Sequence, residues 1–229
     1  MGAQYCHAQP LTGKCAEIYR RGRHALIGIS PFNSKFSTEY LILVARWANE
    51  TFRSFDFLLA GDEAALLLEA TGTPAGRARY KSRKAVRRNL RSVQDALAHL
   101  GRPARARILN IADFTGHEVY AMARKEGAAA FAADPEFRAA CLEMVDKAVR
   151  GRMRTVDVAG SAAVPEQLER AVEYVLAELP FLTRGPEVVG VEEFVVVYHQ
   201  SWPLYERILA GEFPLTVHPA QGYVNLDQP

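Results

Sequence analysis

The sequence predicts an α/β fold, a single domain over residues 1–229 with a central, mostly parallel sheet. Three observations predict it. Short apolar runs of strand length alternate with amphipathic helical segments, and strands joined through helices form βαβ units. The strongest runs, FDFLLA at 55–60 and EFVVVYH at 193–199, are nearly continuous rather than alternating, as in strands covered on both faces. No Gly/Ser-rich or Pro-rich linker divides the chain, which favours one domain.

In order, residues 1–23 read as an irregular or briefly helical arm over the core. Residues 24–30 form the first strand. A helix spans 37–53, with Leu41, Val44, Ala48 and Phe52 at three- and four-residue spacing. The second strand is 55–60. An apolar helix at 62–70 ends in the Gly- and Pro-bearing stretch 71–76. Residues 77–100 form a long amphipathic helix whose inward stripe is Val86, Leu90, Val93, Leu97 and Leu100. Gly101 and Pro103 stop it, and 105–110 is a third strand. Helices follow at 115–132 and 135–150, the second with Asp134 as N-cap and Pro135 at its first position. After a loop at 151–160, a helix opening at Ser161 or near Pro165 runs to Leu179, where Pro180 stops it. The remaining elements are the strand at 193–199, a short helix at 202–210 and a final strand at 222–226.

Composition narrows the chemistry. Cys6, Cys15 and Cys141 are odd in number and lack CxxC spacing, so neither a disulfide framework nor a thiolate metal site is expected. The six histidines show no HxxxH or HExxH pairing. There is no GxGxxG, and Gly72-Thr-Pro-Ala-Gly76 is not followed by Lys-Ser/Thr. The expectation is no metal and no cofactor. Residues 1–13 are polar, without the apolar core of a signal peptide, and no apolar run is long enough to span a bilayer. A cytoplasmic protein without membrane contact is expected.

The net charge is only +2, but it is unevenly spread. No acid lies between Glu69 and Asp95, while Arg83, Lys84, Arg87, Arg88 and Arg91 crowd that interval. Lys84, Arg87, Arg88 and Arg91 stand at i, i+3, i+4 and i+7, so they share one helical face. Solvated faces usually mix signs; a one-sided face attracts a polyanion and releases its counterions. Tyr80 is the one aromatic nearby, so phosphate contact rather than base stacking is the expected mode.

Three further places can carry chemistry. Ser30 stands where the first strand ends, the edge at which open α/β sheets bind ligands. It is either a nucleophile or a cap for the following helix. Gly28-Ile-Ser30-Pro-Phe32 lacks the last glycine of the GxSxG nucleophile elbow. Tyr174 and Glu178, at i and i+4, share a helical face, either as an ammonium-holding pair or as an ordinary surface pair. Tyr198 and His199 end the valine-rich strand, again at the ligand edge.

Taken together, these residues resemble the cyclodipeptide synthases. The resemblance spans about 24–223. It rests on Gly28-Ile29-Ser30 with Asn33, on Tyr174-x-x-x-Glu178, on Tyr198-His199, and on the basic helix after the second strand. Asn33, Tyr198 and His199 resemble the subfamily named for Asn, Tyr and His. One departure is Ser201, where close relatives are expected to have aspartate.

The resemblance implies a Rossmann-type domain similar to the catalytic domains of class I tyrosyl- and tryptophanyl-tRNA synthetases. It implies two aminoacyl-tRNAs as substrates, their esters already activated, and it implies ping-pong covalent catalysis. In that scheme Ser30 is the nucleophile, Glu178 and Tyr174 hold the ammonium, and Tyr198 relays a proton. Asn33 and His199 support the loop, and Tyr120 lies near the aminoacyl group. By position, Leu26, Gly28, Leu58, Met144, Phe181 and Val196 line the first aminoacyl pocket and favour a hydrophobic residue such as Leu, Phe or Met. The expected partners are tRNA, not DNA, and the expected state is a monomer. The competing readings are a non-catalytic RNA-binding module, which has no need of Ser30 with Glu178, and a serine esterase or acyltransferase, which needs a histidine base.

Overall fold

Six strands among the described residues form one sheet: β1 (His7–Pro10), β2 (His24–Ile29), β3 (Ser54–Leu59), β4 (Ala106–Asn110), β5 (Phe194–Tyr198) and β6 (Gln221–Asp227). Their order is β1-β6-β5-β2-β3-β4. All pairings are parallel except β1 with β6. This is a computed structural model, and it describes residues 6–101, 105–153 and 165–227. The helices are α1 (Gly13–Arg21), α2 (Thr38–Thr51), α3 (Ala64–Glu69), α4 (Ala75–Ala98), α5 (Glu118–Ala133), α6 (Pro135–Met153), α7 (Pro165–Thr183), α8 (Gly185–Val189) and α9 (Pro203–Leu209).

Side-chain alternation divides the core into two layers. Ala25, Ile27 and Ile29 of β2, Phe55, Phe57 and Leu59 of β3, and Val195 and Val197 of β5 pack against α2 and α4. Leu26, Leu58, Phe194 and Val196 face the other way, into a larger core built by α5, α6, α7 and α9. Strands buried on both faces explain the nearly unbroken apolar runs.

The chain leaves β2 toward β3 on one side and later returns to β5 on the other. The topological switch point therefore lies between β2 and β5, where open α/β sheets form their ligand crevice. Ser30 follows β2 and Tyr198 ends β5, so both stand at that crevice.

Three expectations are corrected. Part of the segment read as an arm is a sheet strand: β1 pairs antiparallel with β6, from His7 opposite Asp227 to Pro10 opposite Val224. Four residues with polar alternation and a terminal proline give little strand signal, and Pro10 is tolerated because β1 is an edge strand. The second concerns Pro180, which does not stop α7 but sits inside it. Proline removes one hydrogen bond, but the helix recovers at once. The Arg184 N–H donates to the Pro180 carbonyl at 2.9 Å, and the Thr183 hydroxyl donates to Leu179 at 3.1 Å. The loop expected at 151–160 begins later, since α6 continues to Met153; the rest of that stretch lies outside the described residues. Asp134 does cap α6, its carboxylate accepting from the N–H groups of Glu136 and Phe137.

Candidate active site

Ser30 is not a helix cap. The side chain that caps α2 is Ser37, which accepts from the Tyr40 N–H. Ser30 instead lies on the wall of a cavity of about 330 Å³ at the carboxyl edge of β2, β3 and β5. Gly28, Leu58, Ala60, Leu67, Ile111 and Met144 contribute to an apolar wall, and Tyr174, Glu178, Tyr198 and His199 contribute polar groups.

The helix α7 delivers Tyr174 and Glu178. Its residues from 171 to 183 are almost all buried, as in a helix packed on every side. The i, i+4 spacing then sets the phenol and the carboxyl on one face. The pair is therefore an interior pair, Tyr174 8% and Glu178 7% exposed. From the opposite side of the crevice, the Tyr198 hydroxyl donates to Glu178 Oε2 at 3.0 Å. Tyr174 stands beside both Glu178 and Ser30 on the cavity wall. Ser30, Tyr174, Glu178 and Tyr198 thus line one cavity, where Tyr198 is hydrogen-bonded to Glu178.

Burial sets the electrostatics. It pushes the Glu178 carboxyl up to about 7, against the hydrogen bonds from Tyr174 and Tyr198 that pull it down. Both phenols are held well above the ordinary phenol range, by burial first and by the neighbouring carboxylate second. The site is poised to receive a cation beside Glu178, since a positive group there restores the charged carboxylate.

Tyr198 is held by packing. Its ring lies 5.4 Å from Trp202 and stacks at 5.7 Å on Tyr223. A Cβ on Gly28 would come within 2.8 Å of Tyr198 Cε1 and 3.3 Å of its hydroxyl. Gly28 therefore makes room for the phenol. Asn33 orients the neighbouring histidine. The Lys35 N–H donates to Asn33 Oδ1 at 2.9 Å, which leaves Asn33 Nδ2 to donate to His199 Nε2 at 2.6 Å. Nε2 is an acceptor in that bond, so the neutral ring carries its proton on Nδ1. Burial, helped by Lys35, pushes His199 down to about 4. A histidine so held is a poor general base for Ser30 at neutral pH.

Comparison with known proteins adds the decisive observation. The family model described as cyclodipeptide synthase matches residues 6–228. The chain belongs to the cyclodipeptide synthase family. A cyclo(L-leucyl-L-leucyl) synthase of Bacillus subtilis (strain 168) is 46% identical over 218 residues, which cover 95% of this chain and 87% of that protein. The crystal structure of a cyclodipeptide synthase from Bacillus thermoamylovorans is similar at a TM-score of 0.92 and 39% identity, over 98% of this chain and 96% of that one. Tyrosyl-tRNA synthetase from Archaeoglobus fulgidus shares the fold at a TM-score of 0.55 and 11% identity, over 95% of this chain and 60% of that one. Cyclodipeptide synthases are tRNA-dependent aminoacyltransferases, and the expected class I synthetase-like α/β fold is the one observed.

The synthase brings Ser30, Asn33, Tyr174, Glu178, Tyr198 and His199 to one cavity, with Gly28, Leu58 and Met144 on its wall. Four expected residues stand elsewhere. Leu26 and Val196 are one strand step behind Gly28 and Tyr198 on the same face, and they belong to the core beneath the cavity. Phe181 packs on Phe114 and Tyr120, at 5.1 and 5.6 Å. Tyr120 is 1% exposed, and its hydroxyl donates to the Ala177 carbonyl at 3.0 Å. It braces α7 one residue before Glu178 rather than facing the cavity. Sequence reasoning missed Ala60, Leu67 and Ile111. Strand parity points to Ala60, two residues beyond Leu58, whereas the other two reach the cavity only through tertiary folding.

On the basic helix α4, the cations differ. Arg83 pairs with Asp62 at 3.2 Å. Arg88 reaches the Pro31 carbonyl at 3.4 Å. Lys84, Arg87 and Arg91 are exposed and make no ion pair among the described residues. At the departure noted above, the Ser201 hydroxyl bonds the Glu206 carboxylate of α9. Among the described residues no cluster of His, Cys, Asp or Glu is suited to a metal ion, and no helix is long and apolar enough to cross a membrane.

Proposed function

We propose that this protein condenses two aminoacyl groups from tRNA into a 2,5-diketopiperazine through esters on Ser30. The Ser30 hydroxyl attacks the ester carbonyl of the first aminoacyl-tRNA. The tRNA leaves as its terminal hydroxyl, and the aminoacyl group stays on Ser30. Its ammonium sits against Glu178 and Tyr174. After losing a proton, the amine attacks the second aminoacyl ester, releasing the second tRNA and leaving a dipeptidyl ester. The free amine of that dipeptide attacks the Ser30 ester, closes the ring and returns the hydroxyl to Ser30. Tyr198, bonded to Glu178, relays protons in these steps. Asn33 and His199 hold the turn in shape, and Tyr120 supports the aminoacyl site through α7.

One observation carries the reading: a serine, two phenols and a buried carboxylate line one cavity, with one phenol hydrogen-bonded to the carboxylate. The poor basicity of His199 supports transfer from an activated tRNA ester over a serine esterase, because an esterase needs a histidine base. The apolar wall supports a hydrophobic first residue, and the B. subtilis relative's product makes leucine the first to test. Such walls separate similar side chains by only about 1–3 kcal/mol per methylene, so mixed products are expected. The exposed cations of α4 are assigned to tRNA phosphates. The working state is a monomer in the cytoplasm, where charged tRNA is made.

Expression in bacteria followed by mass spectrometry of the medium tests this. Leucine-containing diketopiperazines are expected from the wild type and none from Ser30→Ala. Absence of any diketopiperazine from the wild type under ample tRNA supply favours the RNA-binding module instead.

A further inference from the structure

The basic helix α4 does more than face solvent: it also holds the turn that carries Ser30. Its fully buried residues are Ala78, Ser82, Asn89, Val93 and Ala96, beside the half-buried Val86, Leu90, Leu97 and Leu100 of the expected stripe. Asn89 is 1% exposed. Asparagine is a poor helix former, and an aliphatic side chain at a buried stripe position packs without a polar group to satisfy. Its amide is nevertheless committed: Asn89 Nδ2 donates to the Ser30 carbonyl at 3.2 Å. The preceding residue makes the parallel contact, Arg88 to the Pro31 carbonyl at 3.4 Å. Ser30 lies one residue past the end of β2, so its carbonyl is beyond the strand that would otherwise pair it. Two consecutive carbonyls of the turn therefore accept from two consecutive side chains of α4.

We propose that Asn89 is a positioning residue for acyl transfer. By fixing the Ser30–Pro31 peptide plane it sets the direction of the Ser30 side chain, so the helix that docks tRNA also aims the nucleophile. This rests on the assignment of Ser30 as the acyl acceptor and of α4 as the tRNA-facing helix. Nearby donors are Arg88, which also bonds Asn89 Oδ1 at 3.5 Å, and the Tyr174 hydroxyl, which neighbours the Ser30 side chain rather than its carbonyl. Neither replaces the Asn89 amide at the Ser30 carbonyl.

The test uses Asn89→Leu, which removes the donor and keeps an apolar helix-forming residue, and Asn89→Asp, which keeps the shape but turns an acceptor toward the carbonyl. Three quantities are measured on the full chain: the single-turnover rate of Ser30 aminoacylation from leucyl-tRNA, the tRNA dissociation constant at two salt concentrations, and the thermal midpoint. The expected result is acylation slowed about 10- to 100-fold, because small misplacement of a reacting group costs that much. Affinity, its salt slope and, for Asn89→Leu, the thermal midpoint stay at wild-type values. Acylation within twofold of wild type in both folded variants overturns the proposal, as does a loss of tRNA affinity that accounts for the slower rate. If wild type itself forms no ester on Ser30, the assignment of Ser30 fails, and the proposal with it.

Discussion

Replacing Glu178 with glutamine separates what the carboxyl does for folding from what it does for substrate. A carboxyl that ionises near 4.5 in the unfolded chain and at about 7 when buried disfavours its charged form by about 3 kcal/mol. Between those pH values the folded protein keeps a proton that the unfolded chain has released. The stabilising contribution is therefore full below pH 4.5 and is lost as pH rises through about 7. Glutamine keeps the shape and has no charge to lose. Urea unfolding of both proteins should show the variant gaining about 2–3 kcal/mol on the wild type between about pH 5 and about pH 8.5. The same substitution should all but abolish Ser30 aminoacylation, since no anion remains to meet the ammonium. Parallel stability–pH curves for the two proteins would mean that Glu178 ionises as an ordinary carboxylate, and the argument from burial would be wrong.

Other outcomes follow from the same geometry. Tyr198→Phe removes the donor at 3.0 Å from Glu178; diketopiperazine formation should fall about 100-fold or more, and the acid limb of the rate profile should move above pH 7. An acid limb left in place would show that Tyr198 does not tune the carboxyl. Gly28→Ala pushes a methyl against Tyr198; a stability loss of about 1–3 kcal/mol and slower product formation are expected, and wild-type turnover would contradict the close packing. Arg87→Ala and Arg91→Ala should each weaken aminoacyl-tRNA binding and reduce its log–log salt slope by about one. Arg83→Ala should change it less, because Arg83 is already paired with Asp62. Equal effects at all three positions would argue against a specific tRNA track on α4.

The sheet was legible because its strands are buried on both faces, and that leaves unbroken runs such as FDFLLA. The β1 strand was not: an edge strand of four residues depends on its partner β6 more than on its own pattern. Pro180 misled because proline chemistry is local, whereas the packing around α7 that outweighs it is tertiary. Spacing and strand ends single out Ser30, Tyr174, Glu178 and Tyr198 but leave each open between a chemical and a structural role, and it is the family resemblance that joins them into one site. The depth of the pocket was harder to read. Leu26 and Val196 have the right parity but lie one step too far from the edge, and Tyr120 turned out to brace α7. Nothing in the pattern of α4 reveals that Asn89 reaches a carbonyl on a different element.

In the proposed reaction Ser30 carries the aminoacyl group. Incubating the protein with leucyl-tRNA alone, quenching in acid and mapping peptides by mass spectrometry measures this directly. A leucyl or leucyl-leucyl ester is expected on the peptide containing Ser30, absent from Ser30→Ala. Diketopiperazine made at wild-type rate by Ser30→Ala, or an ester found on another residue, would contradict it.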